Sequence, residues 1–329
     1  MRDADAIVLL VLDGLPSTSI ERHAERVPTL RSLQGGPITS VVPSTTPTAL
    51  TSITTGVAPS EHGMVGYRFA TPHGVLNAIR WKIHGGRAKP PDPTEVQPIA
   101  PFGGRAVPVV AYAAFKDTGF SHAYLRGCDY VGVHAVSGIV EGIRAHAREP
   151  FVYAYYDGLD LVSHMHGMRD DYMLAELSFC DRLVSDLLDA IPGSTALVVT
   201  ADHGHVHFDG EITFSEVGSM VATFGGESRF KYLYAKPGAA SDLLDACEDA
   251  YGDRAWIFTR AQLFDEGWLG PRAPSHEVAQ RVGDVIVAAR EPVQLVDPTN
   301  PGEQKLLSGH GSLTPDEMLV PLLAGRGRA

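Results

Sequence analysis

The sequence predicts an α/β fold built on a mostly parallel central sheet, and three observations carry that reading. Short apolar runs alternate with longer segments of helical periodicity, the pattern of strands joined by crossover helices. Several of those runs stop at an Asp or at a Thr-Pro turn, as strands do when they deliver ligand-binding groups to the carboxyl edge of an open sheet. At 329 residues, 44% hydrophobic and 20% charged, the chain can bury a full core and still carry one modest insertion.

The first apolar run, Ala6–Leu12, leads straight into Asp13-Gly14. It is short, follows Asp3 and Asp5 and has no basic leader, so a buried strand is expected rather than a secretion signal, and a cytoplasmic location with it. Ile38–Val42 is the next predicted strand. It runs into Pro43-Ser44-Thr45-Thr46-Pro47-Thr48, where Pro47 suits a first helical position and Thr46 an N-cap, which predicts a helix ending at Thr55-Gly56. Residues 67–105 are rich in Pro, Gly and basic side chains around Lys89-Pro90-Pro91-Asp92-Pro93, and read as a loop excursion near the site mouth. Further strands are predicted over Val107–Ala111, Phe151–Tyr156 and Ala196–Thr200. Between the last two, Leu174, Leu177, Val184, Leu187, Leu188 and Ile191 recur at helical spacing over Asp170–Ile191, and Pro192-Gly193 ends that helix. From 205 to 294 the pattern changes to short strands around one helix, Ala240–Tyr251, which reads as a small α+β cap inserted into a core of residues 1–204 and 295–329. Met318–Ala324 is the last predicted strand.

A formal charge of −12 argues against a broad nucleic-acid or anionic-membrane surface, which would need clustered Lys and Arg. The three cysteines, Cys128, Cys180 and Cys247, have neither disulfide-framework nor metal-type spacing and suit buried small residues. No apolar run approaches membrane-spanning length.

Asp13, Thr45, Asp160 and Asp202 each fall shortly after a predicted strand, so one rule of open sheets gathers them on one edge. Asp160 and His164 are four apart in a D-x-x-x-H-x-x-G segment, which puts both on one face of a helical turn. Asp202-His203-Gly204 can converge on one ion only if the chain bends at the glycine, and His310 lies between two glycines. Each segment taken alone is better explained as a turn or a cap, and the Thr-rich turn by itself as a mere cap for its helix. Together, three carboxylates, three imidazoles and a hydroxyl are about what two closely spaced divalent metals and a nucleophile need. Asp157, His166, His205 and His207 are expected in supporting or solvent-facing positions.

In their order along the chain these segments resemble the nucleotide pyrophosphatase/phosphodiesterase branch of the alkaline phosphatase superfamily. The similarity rests on D-G after the first strand, T-x-P before a helix, Glu61-His62-Gly63-Met64, D-x-x-x-H-x-x-G, T-x-D-H-G, Ser308-Gly309-His310-Gly311-Ser312-Leu313-Thr314 and the closing Glu317-Met318-Leu319-Val320-Pro321-Leu322-Leu323. The resemblance implies an alkaline-phosphatase-like fold and two divalent metals, usually zinc, although manganese or iron could fill the same residues. Asp160, His164 and His310 would hold one metal. Asp13, Asp202 and His203 would hold the other beside the Thr45 oxygen. Thr45 would attack phosphorus in line to give a covalent phospho-threonine, which water then releases. Aligning T-T-P-T-A on the C-x-P-S-R of the related sulfatases puts Thr45 at the nucleophile and Ala49 where their Arg stands, which disfavours sulfatase activity. With two divalent cations, three aspartates and a protonated Thr45, the site would carry about +1, which suits a monoanionic diester.

The family commonly carries Asn just after T-x-P, where this chain has Thr48. Thr48 is therefore a candidate substrate contact, with Arg80, Lys82 and Arg105 as cations and Tyr67, Phe69 and Trp81 as aromatic faces for a nucleotide-like phosphate ester. Phosphomonoester or phosphonate hydrolysis on the same core, and a metal-binding protein without turnover, are the competing expectations.

Overall fold

The computed structural model describes residues 3–300 and 302–329. Seven strands form the central sheet, in the order Gln34–Thr39, Leu319–Arg326, Thr195–Thr200, Ala6–Leu12, Phe151–Tyr156, Pro108–Tyr112 and Asp129–Val133. The five strands from Thr195–Thr200 to Asp129–Val133 are parallel, and only Leu319–Arg326 pairs antiparallel, to its neighbour on each side. Both faces are covered, which is why the strand runs are continuously apolar. Val8, Leu10 and Leu12 pack with Leu177, Val184 and Leu187 of the helix Asp171–Ala190 on one side. Val11 and Val109 join the other side's core with Tyr153, Leu50 and Tyr232.

Helix limits follow local chemistry. Asp170 caps Asp171–Ala190 by accepting from the Tyr172 N–H at 2.8 Å, and Pro192 lies just beyond the helix. The helix Thr46–Thr55 ends at Gly56, whose φ of 71° is the left-handed conformation that closes helices. Its N-cap is Thr45, one residue earlier than the sequence predicted. The Thr45 side chain makes no capping bond, which leaves its hydroxyl free for other partners.

Residues 221–289 contain a second, four-stranded sheet in the order Val221–Gly226, Phe230–Ala235, Val285–Ala289 and Ala255–Thr259, all antiparallel, with Ala240–Tyr251 beside it. Alternate side chains along Phe230–Ala235 point to different cores. Phe230, Tyr232 and Tyr234 join the core shared with the central sheet. Leu233 packs with Leu243, Cys247 and Val287 in a separate cluster. This segment therefore shares packing with the central sheet. Among the described residues no helix is long and apolar enough to cross a membrane.

Candidate active site

The site lies at the carboxyl edge of the central sheet, where the segments after Ala6–Leu12, Phe151–Tyr156 and Thr195–Thr200 converge. Asp13 follows Ala6–Leu12, and its N–H is held by the Tyr156 carbonyl of the next strand at 2.9 Å. Gly14 then turns the chain at φ 73°, and a side chain there would come within 2.9 Å of His205. Its N–H donates to Asp202 Oδ1 at 3.2 Å, which ties two strand ends together. Asp160 and His164 stand one turn apart on the helix Gly158–His166. Asp202 and His203 follow Thr195–Thr200, and a side chain on Gly204 would overlap the Asp316 carbonyl.

Two groups result, each with ligand atoms within 4.8 Å of one another: Asp160, His164, His205 and His310, and Asp13, Asp202 and His203. The six Asp and His residues that the resemblance implies as ligands all fall in these two groups. His205 joins the first group, fully buried, with Nε2 2.7 Å from Asp160 Oδ1.

The hydrogen bonds orient the imidazoles. Nδ1 of His164, His203 and His310 lies 2.9, 3.1 and 2.9 Å from the carbonyls of Ser308, Gly204 and Ser44. A carbonyl only accepts, so each Nδ1 carries a hydrogen, and in the neutral ring each Nε2 turns a lone pair inward. Those lone pairs face carboxylates: His164 Nε2 lies 3.4 Å from Asp160 Oδ1, and His203 Nε2 lies 3.4 Å from Asp13 Oδ1 and 3.5 Å from Asp202 Oδ2. Asp13 Oδ1 and Asp202 Oδ2 are buried without any hydrogen-bond partner. Burial pushes the Asp13 carboxyl well above its ordinary range, and repulsion from Asp202 and Asp160 adds to it. Burial likewise raises Asp202. Lone pairs facing buried, unpartnered carboxylate oxygens form a site that a divalent cation fits, and the N/O donor set suits zinc, manganese or iron.

Thr45 Oγ1 is buried and donates to Glu227 Oε2 at 3.0 Å. The other Glu227 oxygen accepts the Tyr67 N–H at 2.6 Å. Burial holds the Glu227 carboxyl up at about 7. The neighbouring hydroxyls are engaged elsewhere: Ser44 donates to the Ser312 carbonyl at 2.8 Å, and Thr46 Oγ1 lies 3.1 Å from His203 Nε2.

A cavity of about 500 Å3 opens on this centre, with Asp13, Thr45, Asp160, His164 and His310 in its wall. Phe115, Phe120 and Tyr124 form an aromatic side, and Phe120 stacks on Tyr124 with ring centroids 4.3 Å apart.

The expected substrate contacts are placed differently. Thr48 is fully buried on the helix Thr46–Thr55, turned into the core with its hydroxyl unpartnered, and does not line the cavity. Arg80, Lys82 and Arg105 are exposed and also lie outside the lining. The reason is local: Ile83 points inward from the short strand Lys82–Ile83, so Lys82 points out. Trp81 is buried with its indole N–H on the Pro91 carbonyl, and Phe69 is core, so of the three aromatic candidates only Tyr67 reaches the cavity. Of the other neighbours, Asp157 lines the cavity, His166 stacks on Tyr172, and His207 Nδ1 accepts from the Met168 N–H. Two more residues stand at the centre: His205, expected only in a supporting or solvent-facing position, and Glu227, which no motif singles out. His205 carried a weak signal as the fourth letter of D-H-G-H. Glu227 carried none beyond the glycine pair before it.

The sequence profile of the type I phosphodiesterase / nucleotide pyrophosphatase family matches residues 7–129 and 132–313. GPI ethanolamine phosphate transferase 3 of Schizosaccharomyces pombe is 33% identical over 82 residues, which is 24% of this chain and 9% of that relative's length. Among solved structures, murine ectonucleotide pyrophosphatase / phosphodiesterase 5 superposes with a TM-score of 0.74 at 16% identity, over 97% of this chain and 87% of that one. An inactive variant of the murine protein in complex with AMP gives the same values. The human protein gives a TM-score of 0.72 at 16% identity and the same coverage.

Proposed function

The chain belongs to the type I phosphodiesterase / nucleotide pyrophosphatase family, and from that premise we propose that it hydrolyses phosphodiesters or pyrophosphates through a Thr45 nucleophile beside two divalent metals. The observation that carries this reading is a hydroxyl spared from helix capping that opens into the same cavity as Asp13, Asp160, His164 and His310.

Asp160, His164 and His310 would hold one metal and Asp13, Asp202 and His203 the other, with Thr45 beside the second. When bound, such ions polarise phosphoryl oxygens and stabilise charge on the attacking and leaving oxygens. The chain itself supplies the rest. Thr45 stands at the N-cap of a ten-residue helix, where the positive end of the dipole favours a developing oxyanion. Its Oγ1 attacks phosphorus and gives up its proton, the ester bond opposite breaks, and the departing oxygen takes up a proton to leave as the alcohol. Water then cleaves the phospho-threonine and restores the hydroxyl.

Diesters are favoured over monoesters by charge. Asp13 and Asp160 in the cavity wall would be balanced by the metals, Glu303 is paired with Lys231 at 2.8 Å, and among the described residues no Lys or Arg lines the cavity to meet a second phosphate charge. A dianionic monoester would need such a cation. The aromatic side formed by Phe115, Phe120 and Tyr124 suits the organic part of a nucleotide-like ester. Kinetics of zinc-replete protein on bis-p-nitrophenyl phosphate and p-nitrophenyl phosphate test the reading. A marked diester preference is expected, and a marked monoester preference overturns it. Protein that binds metal and turns over neither ester would point to a ligand-binding role.

A further inference from the structure

Glu227 reaches Thr45 from far along the chain, and the turn that carries it is held from several sides. Gly226 adopts φ 81°, where a side chain would overlap the Phe230 carbonyl, and the Glu227 N–H closes the turn on that carbonyl at 2.7 Å. Two residues on, the buried Arg229 guanidinium binds both Glu317 oxygens, at 2.7 and 3.1 Å, and the carbonyls of Glu291 and Val293, each at 2.9 Å. Space is left for the Glu227 side chain. A Cβ on Gly311 would lie 2.6 Å from its Cγ, and one on Gly66 would lie 3.2 Å from its Oε1. The carboxyl is 3% exposed, with one oxygen fixed by the Tyr67 N–H and the other given to Thr45.

A threonine hydroxyl has one hydrogen and two lone pairs. With the hydrogen committed to Glu227, both lone pairs turn elsewhere, and this is the orientation an in-line attack requires. We infer that Glu227 is a catalytic residue of this enzyme, the acceptor that fixes the direction of the Thr45 hydroxyl and presents its lone pair to phosphorus. The inference rests on the Thr45 reading above. It also gives the 221–289 sheet a part in the chemistry, since the turn between its first two strands carries the acceptor.

Glu227→Gln is the decisive variant. Its amide oxygen can still accept from the Tyr67 N–H, but its NH2 then faces Thr45 and offers a donor where an acceptor stood. In zinc-loaded full-length protein, single-turnover release of p-nitrophenol from bis-p-nitrophenyl phosphate should slow on the order of 10²-fold, with KM changed by less than about threefold and with metal content and thermal midpoint unchanged. Glu227→Asp, which restores an acceptor on a shorter stem, should recover part of the rate. A wild-type single-turnover rate in Glu227→Gln overturns the inference. So does a slowing matched by loss of metal, or a Glu227→Asp variant no faster than Glu227→Gln. A Thr45→Ala variant that remains active would instead remove the nucleophile reading itself.

Discussion

The imidazole of His203 stacks on that of His310, with ring centroids 3.6 Å apart and planes within 12° of parallel. The two rings belong to different ligand groups, and each is held by its own carbonyl, Gly204 for His203 and Ser44 for His310. His310 is therefore both a donor to the first group and one wall of the second. His310→Ala should lower metal content from about two per chain to one or fewer and weaken the remaining site roughly 10- to 100-fold, the scale of losing an orienting contact. Chelator competition with elemental analysis reads both numbers. Retention of one metal at wild-type affinity would show that the groups are independent.

Thr45 makes no capping bond, so its removal should cost the helix Thr46–Thr55 little. Thr45→Ala is expected to lower kcat on a diester by on the order of 10³-fold or more, as for other covalent nucleophiles. Metal content should remain at the wild-type level. Acid-quench trapping of labelled substrate supplies a second readout, a phosphorylated protein in the wild type and none in the variant.

Much of this site was legible because its residues lie at places where local pattern and fold rule coincide. Ala6–Leu12 and Phe151–Tyr156 end where their apolar runs end, and the side chains just past them are the ones the sheet edge gathers. The edge strand was harder to read. Its span is Gln34–Thr39 rather than Ile38–Val42, because antiparallel pairing with Leu319–Arg326 sets its register and not its own hydrophobicity. Two glycines and Pro37 weaken any strand signal there, yet an edge position tolerates them. The strand Asp129–Val133 at the opposite edge is short and half-exposed, and it too escaped the pattern.

The places of Glu227 and Thr48 escape the sequence pattern for opposite reasons. Glu227 meets Thr45 only through the packing of the second sheet on the first, a contact between distant segments that no local spacing encodes. Thr48 sits at the position the motif singles out, but the helical turn beginning at Thr45 rotates its side chain into the core. Arg80, Lys82 and Arg105 have a composition that suits anion binding, and composition says nothing about which way a side chain faces.

Arg229 and Glu317 form a fully buried, bidentate ion pair between the turn that bears Glu227 and the segment before the last strand. Breaking one side leaves an uncompensated charge in the interior. Arg229→Met or Glu317→Gln should each lower the free energy of unfolding by about 3–5 kcal/mol. Arg229→Met combined with Glu317→Met should recover only the share due to the unpaired charge, since the Glu291 and Val293 carbonyls and the Ser312 N–H lose their partners too. Urea unfolding of the three variants checks the pattern. Single variants within about 0.5 kcal/mol of wild type would mean that water reaches the pair.

His62 gives the fold an acid-sensitive point outside the ligand groups. Its Nε2 lies 2.8 Å from Ser52 Oγ, and its Nδ1 accepts the Met64 N–H at 3.1 Å. Burial, with Arg281 adding repulsion, pushes its imidazole from the ordinary 6.5 down to about 3. Between those two values the unfolded chain binds a proton that the folded protein refuses, so stability is complete above about pH 6.5 and falls as pH drops toward 3. The slope from this one group is about 1.4 kcal/mol per pH unit. His62→Gln keeps a polar group for Ser52 and has no proton to refuse. Comparing urea midpoints at pH 7 and pH 5, wild type should lose about 2 kcal/mol more than His62→Gln over that interval. Equal losses in the two proteins would show that His62 is protonated in the folded state, and the acid sensitivity would then have to come from the carboxylates.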